Sequence, residues 1–437
     1  MREGPVAMER HCQASTYSTE CRPNYRARIC VALLMVITFA VGNYQLALSL
    51  DNKPSHTVLH VNDANEFPYY GGDPTASHES QILRDRLSDL KLKLDPRLQR
   101  SAKHVLRRVM KQGMLLSSES LNFYLNAEGA AYWDTEQIYL QTDSADDVAI
   151  LQLLANQQTA VQEFGGRLGL AEQWTLFPHP RRRVLALVAH PRVILDPINQ
   201  IGTSSKPIEI GGRLVSTIRK ISILALNQDG RHRTYQTSIH DGRFESQVKL
   251  ARGHWTIELV GETPMGPLPL AQFTVAIDRQ PLTTLRERRP ILRTAPIDPG
   301  QLLTNLINDS RAQFGLEPLH RNVRLDDIAT QHTLDMVTHG FVGHASPHTG
   351  DVSHRLERSD LSPTSYGENI ARNTSLLDVH RSLMHSVSHR LNILDPAFTD
   401  LGLGIKQEDG QWFVTELYAR MDNQVGYMDP SNRPTTP

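Results

Sequence analysis

The stretch that decides the fold of this chain covers residues 340–394 and contains three short runs. They are Gly343-His344-Ala345-Ser346-Pro347, Tyr366-Gly367-Glu368-Asn369-Ile370 and Ser386-Val387-Ser388-His389-Arg390-Leu391-Asn392-Ile393-Leu394. Each run has one side chain that can bind a metal or move a proton, namely His344, Glu368 or His389. We therefore expect the three runs to meet at one cleft.

The residues around the three runs predict helices followed by a late β-hairpin. Asp298 and Pro299 form a helix start, because a capping side chain precedes a proline at the first helical position. Residues 325–339 have apolar side chains at helical spacing and end before Gly340, and a third helix is predicted from Ser375. The last two predicted strands and the turn between them are residues 401–405, residues 412–418 and Asp409-Gly410.

These features, taken in order, resemble a bacterial, SCP-like member of the CAP superfamily. This superfamily contains cysteine-rich secretory proteins, antigen 5 of insect venoms and plant pathogenesis-related proteins. The resemblance covers residues 298–420 and includes Gly315-Leu316-Glu317-Pro318-Leu319 besides the three runs. It implies an α-β-α sandwich whose cleft is lined by His344, Glu368 and His389.

Three further residues beside the cleft are assigned by their position. Eukaryotic members of the superfamily have a second glutamate in the helix before the second histidine, and the nearest position here is Ser386. Asn369 and Asn392 closely follow a cleft group and are predicted to satisfy backbone groups of the loops. The missing glutamate, and the absence of any cysteine after Cys30, favour the bacterial branch and weaken a catalytic role.

The residue types leave three kinds of chemistry open. Two imidazoles and a carboxylate suit a divalent metal such as zinc, with His344 and His389 as candidate ligands. Alternatively, Glu368 is the candidate catalytic residue and accepts a proton while the histidines stabilise charge. In the third reading the three groups hydrogen-bond one another and hold the loops of the cleft. Neither an HExxH motif nor a Gly-x-Ser-x-Gly motif occurs.

The sequence therefore favours a binding protein over an enzyme. Since members of the superfamily bind sterols, other lipids or partner proteins, the resemblance implies a lipid, a cell-envelope component or a protein as the ligand. The alternative function is a metal-dependent hydrolase that acts on peptide or cell-wall material. Basic and acidic residues are balanced at 46 and 47, so a nucleic-acid partner is not expected.

The N-terminal region predicts export. Residues 29–41 are an uncharged apolar run with arginines close before it, and the run continues to residue 50. This pattern is typical of a signal peptide, and residues 29–50 are also long enough to form an uncleaved membrane anchor. We therefore expect a secreted, periplasmic or outward-facing anchored protein that contacts a membrane only through this segment.

The middle of the 437-residue chain predicts two further domains, so the expected fold class is α+β and multidomain. Residues 79–200 predict a mixed α/β domain, with helices over residues 79–94, 97–112 and 146–160 and a buried strand over 183–189. Its element order resembles that of the C-terminal domain, which leaves a degenerate duplicate as an alternative.

Residues 206–278 predict a small β-sandwich, because short strand patterns alternate with turn pairs such as Asp241-Gly242. Residues 51–78 and 279–297 contain proline and charged clusters without periodicity and are predicted to be linkers. Residues 421–437 are predicted to be a disordered tail.

Overall fold

The structure is a computed structural model that describes residues 56–60, 69–70, 91–142, 166–175, 181–215, 217–288 and 298–421. The chain divides into two compact units, residues 1–51 and residues 52–437, and all of the described residues belong to the second unit. The apolar segment of residues 29–50, the helix predicted over 146–160 and the predicted tail beyond residue 421 lie outside the described residues. None of the described helices combines the length and the apolar character needed to cross a bilayer.

The first domain is a four-stranded sheet with two helices. After the short strands β1 (His56–His60) and β2 (Tyr69–Tyr70), it contains β3 (Leu92–Leu94), α1 (Pro96–Gln112), α2 (Ser118–Ala127), β4 (Thr135–Thr142), β5 (Gly166–Thr175) and β6 (Arg181–Ala189). The sheet order is β3-β5-β6-β4, with β3 parallel to β5 and the other pairs antiparallel. Leu98, Val105 and Leu125 of the helices pack on Leu185 and Leu187 of the sheet.

The sequence predicts α1 and β6 correctly and misses other elements of this domain. The helix predicted over residues 79–94 is wrong at its end, because Leu92–Leu94 form β3 beside β5. The pattern gives no prediction of α2, β4 or β5, since their apolar residues are too few or too interrupted to show a period.

The second domain is a β-sandwich. It contains β7 (Val193–Leu195), β8 (Ile198–Asn199), β9 (Ile201–Gly202), β10 (Ile208–Leu214), β11 (Ile221–Asn227), β12 (His232–Thr237), β13 (Ile239–His240), β14 (Arg243–Val248), β15 (Gly253–Thr263) and β16 (Gly266–Ile277), followed by β17 (Thr284–Arg288). The two sheets have the orders β13-β14-β10-β7 and β12-β11-β15-β16-β9. The two sheets share one buried core, which includes Phe244 and Phe273. The domain begins at Val193 rather than at residue 206, because β7 and β9 pair with sandwich strands.

The two stretches predicted to be linkers contain strands. β1 pairs antiparallel with β17, and β2 pairs antiparallel with β8. These strands are at most five residues long, and their partners lie far away in the sequence. A local sequence pattern cannot show such pairs, so the linker predictions for residues 51–78 and 279–297 need this correction.

The third domain has three layers. It contains α3 (Pro299–Gln313), β18 (His320–Arg321), α4 (Val323–His339), α5 (Val352–Arg358), β19 (Ser365–Asn373), α6 (Leu376–His385), α7 (Val387–Ile393), β20 (Asp400–Glu408) and β21 (Gln411–Arg420). The central sheet has the order β18-β20-β21-β19. On one face α3, α6 and α7 cover Val414 and Tyr418, and on the other face α4 and α5 cover Leu417 and Ala419.

Two glycines allow α4 to lie directly on the sheet. A Cβ atom on Gly402 would come within 2.4 Å of the Leu325 backbone, and one on Gly404 within 2.1 Å of the Ala329 carbonyl oxygen. The helix ends as the sequence predicts, because Gly340 adopts the left-handed conformation at φ 68°.

The third predicted helix is interrupted at Ser386. The Ser386 backbone is extended at φ −69° and ψ 132°, so α6 ends at His385 and α7 begins at Val387. The Ser386 side chain accepts a hydrogen bond from the His389 amide and thereby caps α7. This break decides where the His389 side chain points.

Candidate functional site

Glu368 and Asn369 enter the site from the middle of β19. Because side chains alternate along a strand, the two residues serve opposite faces of the sheet. Glu368 contacts Arg355 of α5, whereas Asn369 contacts the backbone of His389 in α7. Both side chains are buried.

His344 lies in the loop between α4 and α5 and meets Glu368 directly. Its Nδ1 atom lies 3.0 Å from Glu368 Oε1, and the other carboxylate oxygen accepts a hydrogen bond of 2.5 Å from Arg355 Nη2. Arg355 also donates to the carbonyl oxygens of His344 and Gly350, at 3.1 and 2.8 Å. One guanidinium therefore fixes both the carboxylate and the loop that carries His344.

Glu368 is ionised in this setting. Burial alone would raise its pKa, but the hydrogen bond from His344 and the charge of Arg355 outweigh burial and hold the pKa of Glu368 below its ordinary value. An ionised carboxylate only accepts hydrogen bonds, so His344 donates from Nδ1. In the neutral imidazole, this leaves the lone pair on His344 Nε2.

His389 faces His344 from α7. The two ring centroids are 6.4 Å apart with an angle of 21° between the ring planes. His389 Nδ1 lies 2.7 Å from Ser386 Oγ. Burial, reinforced by the nearby His344, lowers the pKa of His389 to about 3, so its ring is neutral at neutral pH. The structure thus brings His344, Glu368 and His389 together.

The two asparagines lie behind the histidines and connect β19 to α7. Asn369 Nδ2 donates to the carbonyl oxygen of His389 at 3.1 Å. Asn392 Nδ2 donates to the carbonyl oxygen of Glu368 at 3.2 Å and to Asn369 Oδ1 at 2.9 Å. Both asparagines therefore hold the elements that carry Glu368 and His389.

A second carboxylate reaches the site from the β-sandwich. Glu258 of β15 is fully buried and accepts hydrogen bonds from the Ser386 hydroxyl at 3.0 Å and from the amides of Val387 and Ser388 at 2.8 and 3.0 Å. Burial raises the pKa of Glu258, while these hydrogen bonds act in the opposite direction. Ser386 thus lies between Glu258 and His389, at the position where the sequence has no second glutamate.

Comparison with known proteins supports this reading of the third domain. Residues 304–418 match the family model described as CAP, the cysteine-rich secretory protein family. Residues 304–418 form a CAP domain. The match places all six predicted site residues within the CAP domain, whereas Glu258 lies outside it.

Two Bacillus subtilis proteins are similar to parts of the chain. The uncharacterized protein YkwD is 32% identical over 111 residues, which is 25% of this chain and 43% of YkwD. The uncharacterized membrane protein YlbC is 24% identical over 226 residues, which is 47% of this chain and 63% of YlbC. The chain therefore spans less than two thirds of either relative.

Two solved structures are also similar to parts of the chain. An extracellular protein containing a SCP domain from Bacillus anthracis is 18% identical, with a TM-score of 0.26, and the match covers 52% of this chain and 86% of that protein. An outer surface protein from Borrelia burgdorferi is also 18% identical, with a TM-score of 0.27, over 29% of this chain and 97% of that protein.

The turn between β15 and β16 lies against the loop that carries His344 in the CAP domain. The Met265 carbonyl oxygen accepts hydrogen bonds from the amides of His344 and Ala345, at 2.8 and 3.0 Å. Gly266 has φ +97°, and a Cβ atom there would lie 2.7 Å from the Cβ atom of His344. A side chain at this position would displace the histidine. The β-sandwich therefore contacts the start of α7 through Glu258 and the loop that carries His344 through Met265.

The residues of the CAP cleft are compatible with a metal held by two imidazoles. If His389 Nδ1 donates to Ser386 Oγ and the Ser386 hydroxyl donates to Glu258, the lone pair of the neutral His389 ring lies on Nε2, as in His344. With Zn–N bonds of about 2.1 Å and tetrahedral geometry, a shared ion would require the two rings, whose centroids are 6.4 Å apart, to approach one another. Glu368 accepts from His344 Nδ1 and is paired with the charge of Arg355, so it would orient His344 behind a metal bound at Nε2. The assignment of a metal to His344 and His389 stays a prediction.

Sequence reasoning missed Glu258, Arg355 and Met265. Glu258 lies in the alternating stretch Trp255-Thr256-Ile257-Glu258-Leu259, where alternation assigns it to a solvated face. The CAP domain covers that face, so the residue is buried instead. The signal in the sequence was the lone carboxylate between apolar neighbours, and its partners could be found only from the tertiary fold.

Proposed function

We propose that this chain is an exported protein whose CAP cleft binds a ligand at the cell envelope or outside the cell. The ligand is a lipid, another envelope component or a protein partner. One observation carries the proposal: His344, Glu368 and His389 lie at one site and are held in place, His344 by Glu368, Glu368 by Arg355 and His389 by Ser386. Such pre-organised polar groups are typical of binding sites.

The cleft chemistry favours a ligand that donates hydrogen bonds. Both imidazoles use Nδ1 for a protein partner, so Nε2 is the nitrogen that each ring has left for a ligand, and in the neutral form of the ring it carries a lone pair. The negative charge of Glu368 is matched by Arg355. Hydroxyl and amide groups of lipids, sugars or peptides fit these acceptors, whereas a bare anion does not.

Export rests on the apolar segment of residues 29–50 and its basic flank. A signal peptide and an uncleaved anchor both place the CAP domain outside the cytoplasm. The similarity to YlbC, which is named a membrane protein, agrees with an anchor.

We further infer that residues 91–189 are a CAP-like module whose cleft has degenerated. The sheet order β3-β5-β6-β4 corresponds to β18-β20-β21-β19, with the same parallel and antiparallel pairs. Helices α1 and α4 each have 17 residues and follow the short first strand. Each begins at a capping residue, Asp95 or Asn322, whose amide bonds to the neighbouring strand.

The packing of the two modules also corresponds. A Cβ atom on Gly169 would lie 2.2 Å from the Leu98 backbone, just as Gly402 lies against Leu325. Glu368 of β19 pairs with Leu417 of β21, which pairs on its other side with Gly402. Gln137 of β4 pairs with Leu187 of β6, which pairs on its other side with Gly169. Gln137 therefore has the same position in its sheet as Glu368 has in the CAP sheet. Among the described residues, the hydrogen bonds of the Gln137 side chain go to the backbone of Leu116. The first module therefore supports the fold, and the second presents the cleft.

The binding proposal is tested with the purified full chain and a panel of probes. The panel contains phosphatidylglycerol vesicles, the same vesicles with a glycolipid or a sterol, and a soluble disaccharide-peptide of the cell wall. We expect at least one probe to bind, and Glu368→Gln and His389→Ala to weaken its binding at least tenfold, while His320→Ala, on the surface of the same domain, leaves it unchanged. Binding that both cleft variants retain, or no binding by any probe, would overturn the proposal.

A further inference from the structure

We propose that Asp335, His339 and His348 form a second site, outside the cleft, that binds a divalent transition metal such as zinc. Each residue offers one ligand atom, and these atoms lie within 4.8 Å of one another. Within the part of the chain that the structure describes, no other group of three His, Cys, Asp or Glu side chains converges in this way.

The three ligands come from the end of α4 and the loop that follows it. Asp335 and His339 are four residues apart and share one face of the helix, with Asp335 Oδ1 2.7 Å from His339 Nδ1. His348 lies in the loop before α5, and its ring centroid is 3.9 Å from that of His339. The loop thus closes back on the last turn of the helix.

The donor set is the one that zinc prefers in open sites. Two imidazoles and one carboxylate leave a fourth position for water or another ligand. In a tetrahedral site with bonds of about 2.1 Å, ligand atoms are about 3.4 Å apart. Atoms as far apart as 4.8 Å would have to approach by about 1.4 Å to reach this spacing. Both histidines are exposed and free to make this adjustment.

The electrostatic setting also favours a cation. Burial alone would raise the pKa of Asp335, but hydrogen bonds from Ser346, Thr349 and His339 outweigh burial and hold the pKa of Asp335 below its ordinary value. The carboxylate is therefore ionised. His339 is the last residue of α4, where the negative end of the helix dipole attracts positive charge.

A metal at this site would also act on the cleft, through the loop. The segment that carries His348 carries His344 as well, and Thr349 and Ser346 already hold it to Asp335. A metal bond from His348 would join the loop to α4 more firmly and restrict His344. The expected result is a cleft that is better ordered when the second site is filled.

The test is a zinc titration of the purified full chain against a chromophoric chelator. We expect His348→Ala to weaken zinc binding at least tenfold, and the exposed control His320→Ala to leave it unchanged. The double variant His344→Ala with His389→Ala should retain the binding. Zinc should also raise the melting temperature of the wild type and not that of His348→Ala.

Three results would overturn the second site. These are no zinc binding by the wild type, unchanged binding in His348→Ala, and binding lost only in the cleft double variant, which would place the metal in the cleft. Because His348 is exposed, its replacement leaves the core intact, and a loss of binding in that variant reports on the ligand. The outcome here is distinguishable from that of the probe panel, since the deciding variant is His348→Ala in this test and the cleft variants Glu368→Gln and His389→Ala in the other.

Discussion

Glu416, a buried carboxyl group beside the cleft, is expected to contribute to the pH dependence of stability. It lies in β21 without exposed surface and accepts hydrogen bonds from the hydroxyl of Tyr418 and from Asn369. Burial raises the pKa of Glu416 to about 7, even though these hydrogen bonds lower it. Since Asn369 also bonds to the His389 backbone, this group is joined to the cleft.

We predict that Glu416→Gln stabilises the protein more at pH 8 than at pH 6. The stability from a protonated Glu416 is fully present below its ordinary pKa of 4.5 and is lost as the pH rises through about 7. Glutamine stays neutral, so the gain in unfolding free energy should be about 1 kcal/mol larger at pH 8. Urea unfolding at the two pH values measures this difference. The exposed Glu408→Gln serves as control, and an equal gain at both pH values would contradict the prediction.

His389 should stay neutral across the physiological range. Its pKa is lowered to about 3, first by burial and then by His344. In the unfolded chain it takes up a proton near pH 6.5, so its contribution to stability falls as the pH drops from 6.5 towards 3. The imidazole ¹⁵N shifts of His389, recorded by NMR between about pH 5 and 8, should not move, whereas a midpoint near about 6.5 would show that the ring is solvated.

At the level of the elements, the break between α6 and α7 is stabilised from another domain. The first amides of α7 have no partner within the helix, and Glu258 of β15 accepts hydrogen bonds from two of them. The same carboxylate accepts from Ser386, which contacts His389. The β-sandwich therefore helps to set the orientation of a cleft residue.

We predict that Glu258→Ala lowers the unfolding free energy by about 2 kcal/mol, because it removes the acceptor of the buried Val387 amide and of the partly buried Ser388 amide. Glu262→Ala, on the exposed side of the same strand, should change it by less than about 0.5 kcal/mol. Denaturant unfolding measures both. A Glu258→Ala variant as stable as Glu262→Ala would show that the hydrogen bonds to α7 contribute little.

Local chemistry explains which elements the sequence predicts. The glycine signal predicts the end of α4 at Gly340, whereas the helix begins at Val323, two residues before the predicted start, and alternation with turn pairs predicts the sandwich strands. The three short runs predict that His344, Glu368 and His389 share one site, because their residue types suit one cleft. The burial of Glu258 and the pairing of β1 with β17 depend on contacts between distant segments, so neither has a local signal.

For the whole molecule, the contacts of Glu258 and Met265 join the β-sandwich to the CAP cleft. The cleft residues are therefore contacted by two domains, and the sheet of the first domain has a strand order that corresponds to that of the CAP sheet. Movement of the β-sandwich relative to the CAP domain would change the positions of both histidines.

Gly266→Ala tests this coupling. The new Cβ atom would meet His344, and the positive φ adds strain. Gly230 also has a positive φ of +83° but nothing within 4 Å of a Cβ atom, so Gly230→Ala reports the strain alone. We expect Gly266→Ala to cost at least about 1 kcal/mol more than Gly230→Ala and to shift the His344 NMR signal. Equal costs with an unchanged signal would mean that the turn does not position His344.

The most direct measurement follows the imidazole ¹⁵N signals of His344, His389 and His320 in the full chain while a binding probe from the panel is added. We predict that the signals of His344 and His389 shift together and saturate with one affinity, and that the signal of His320 stays still. Binding of the probe with both cleft signals unchanged would contradict a cleft built from His344, Glu368 and His389.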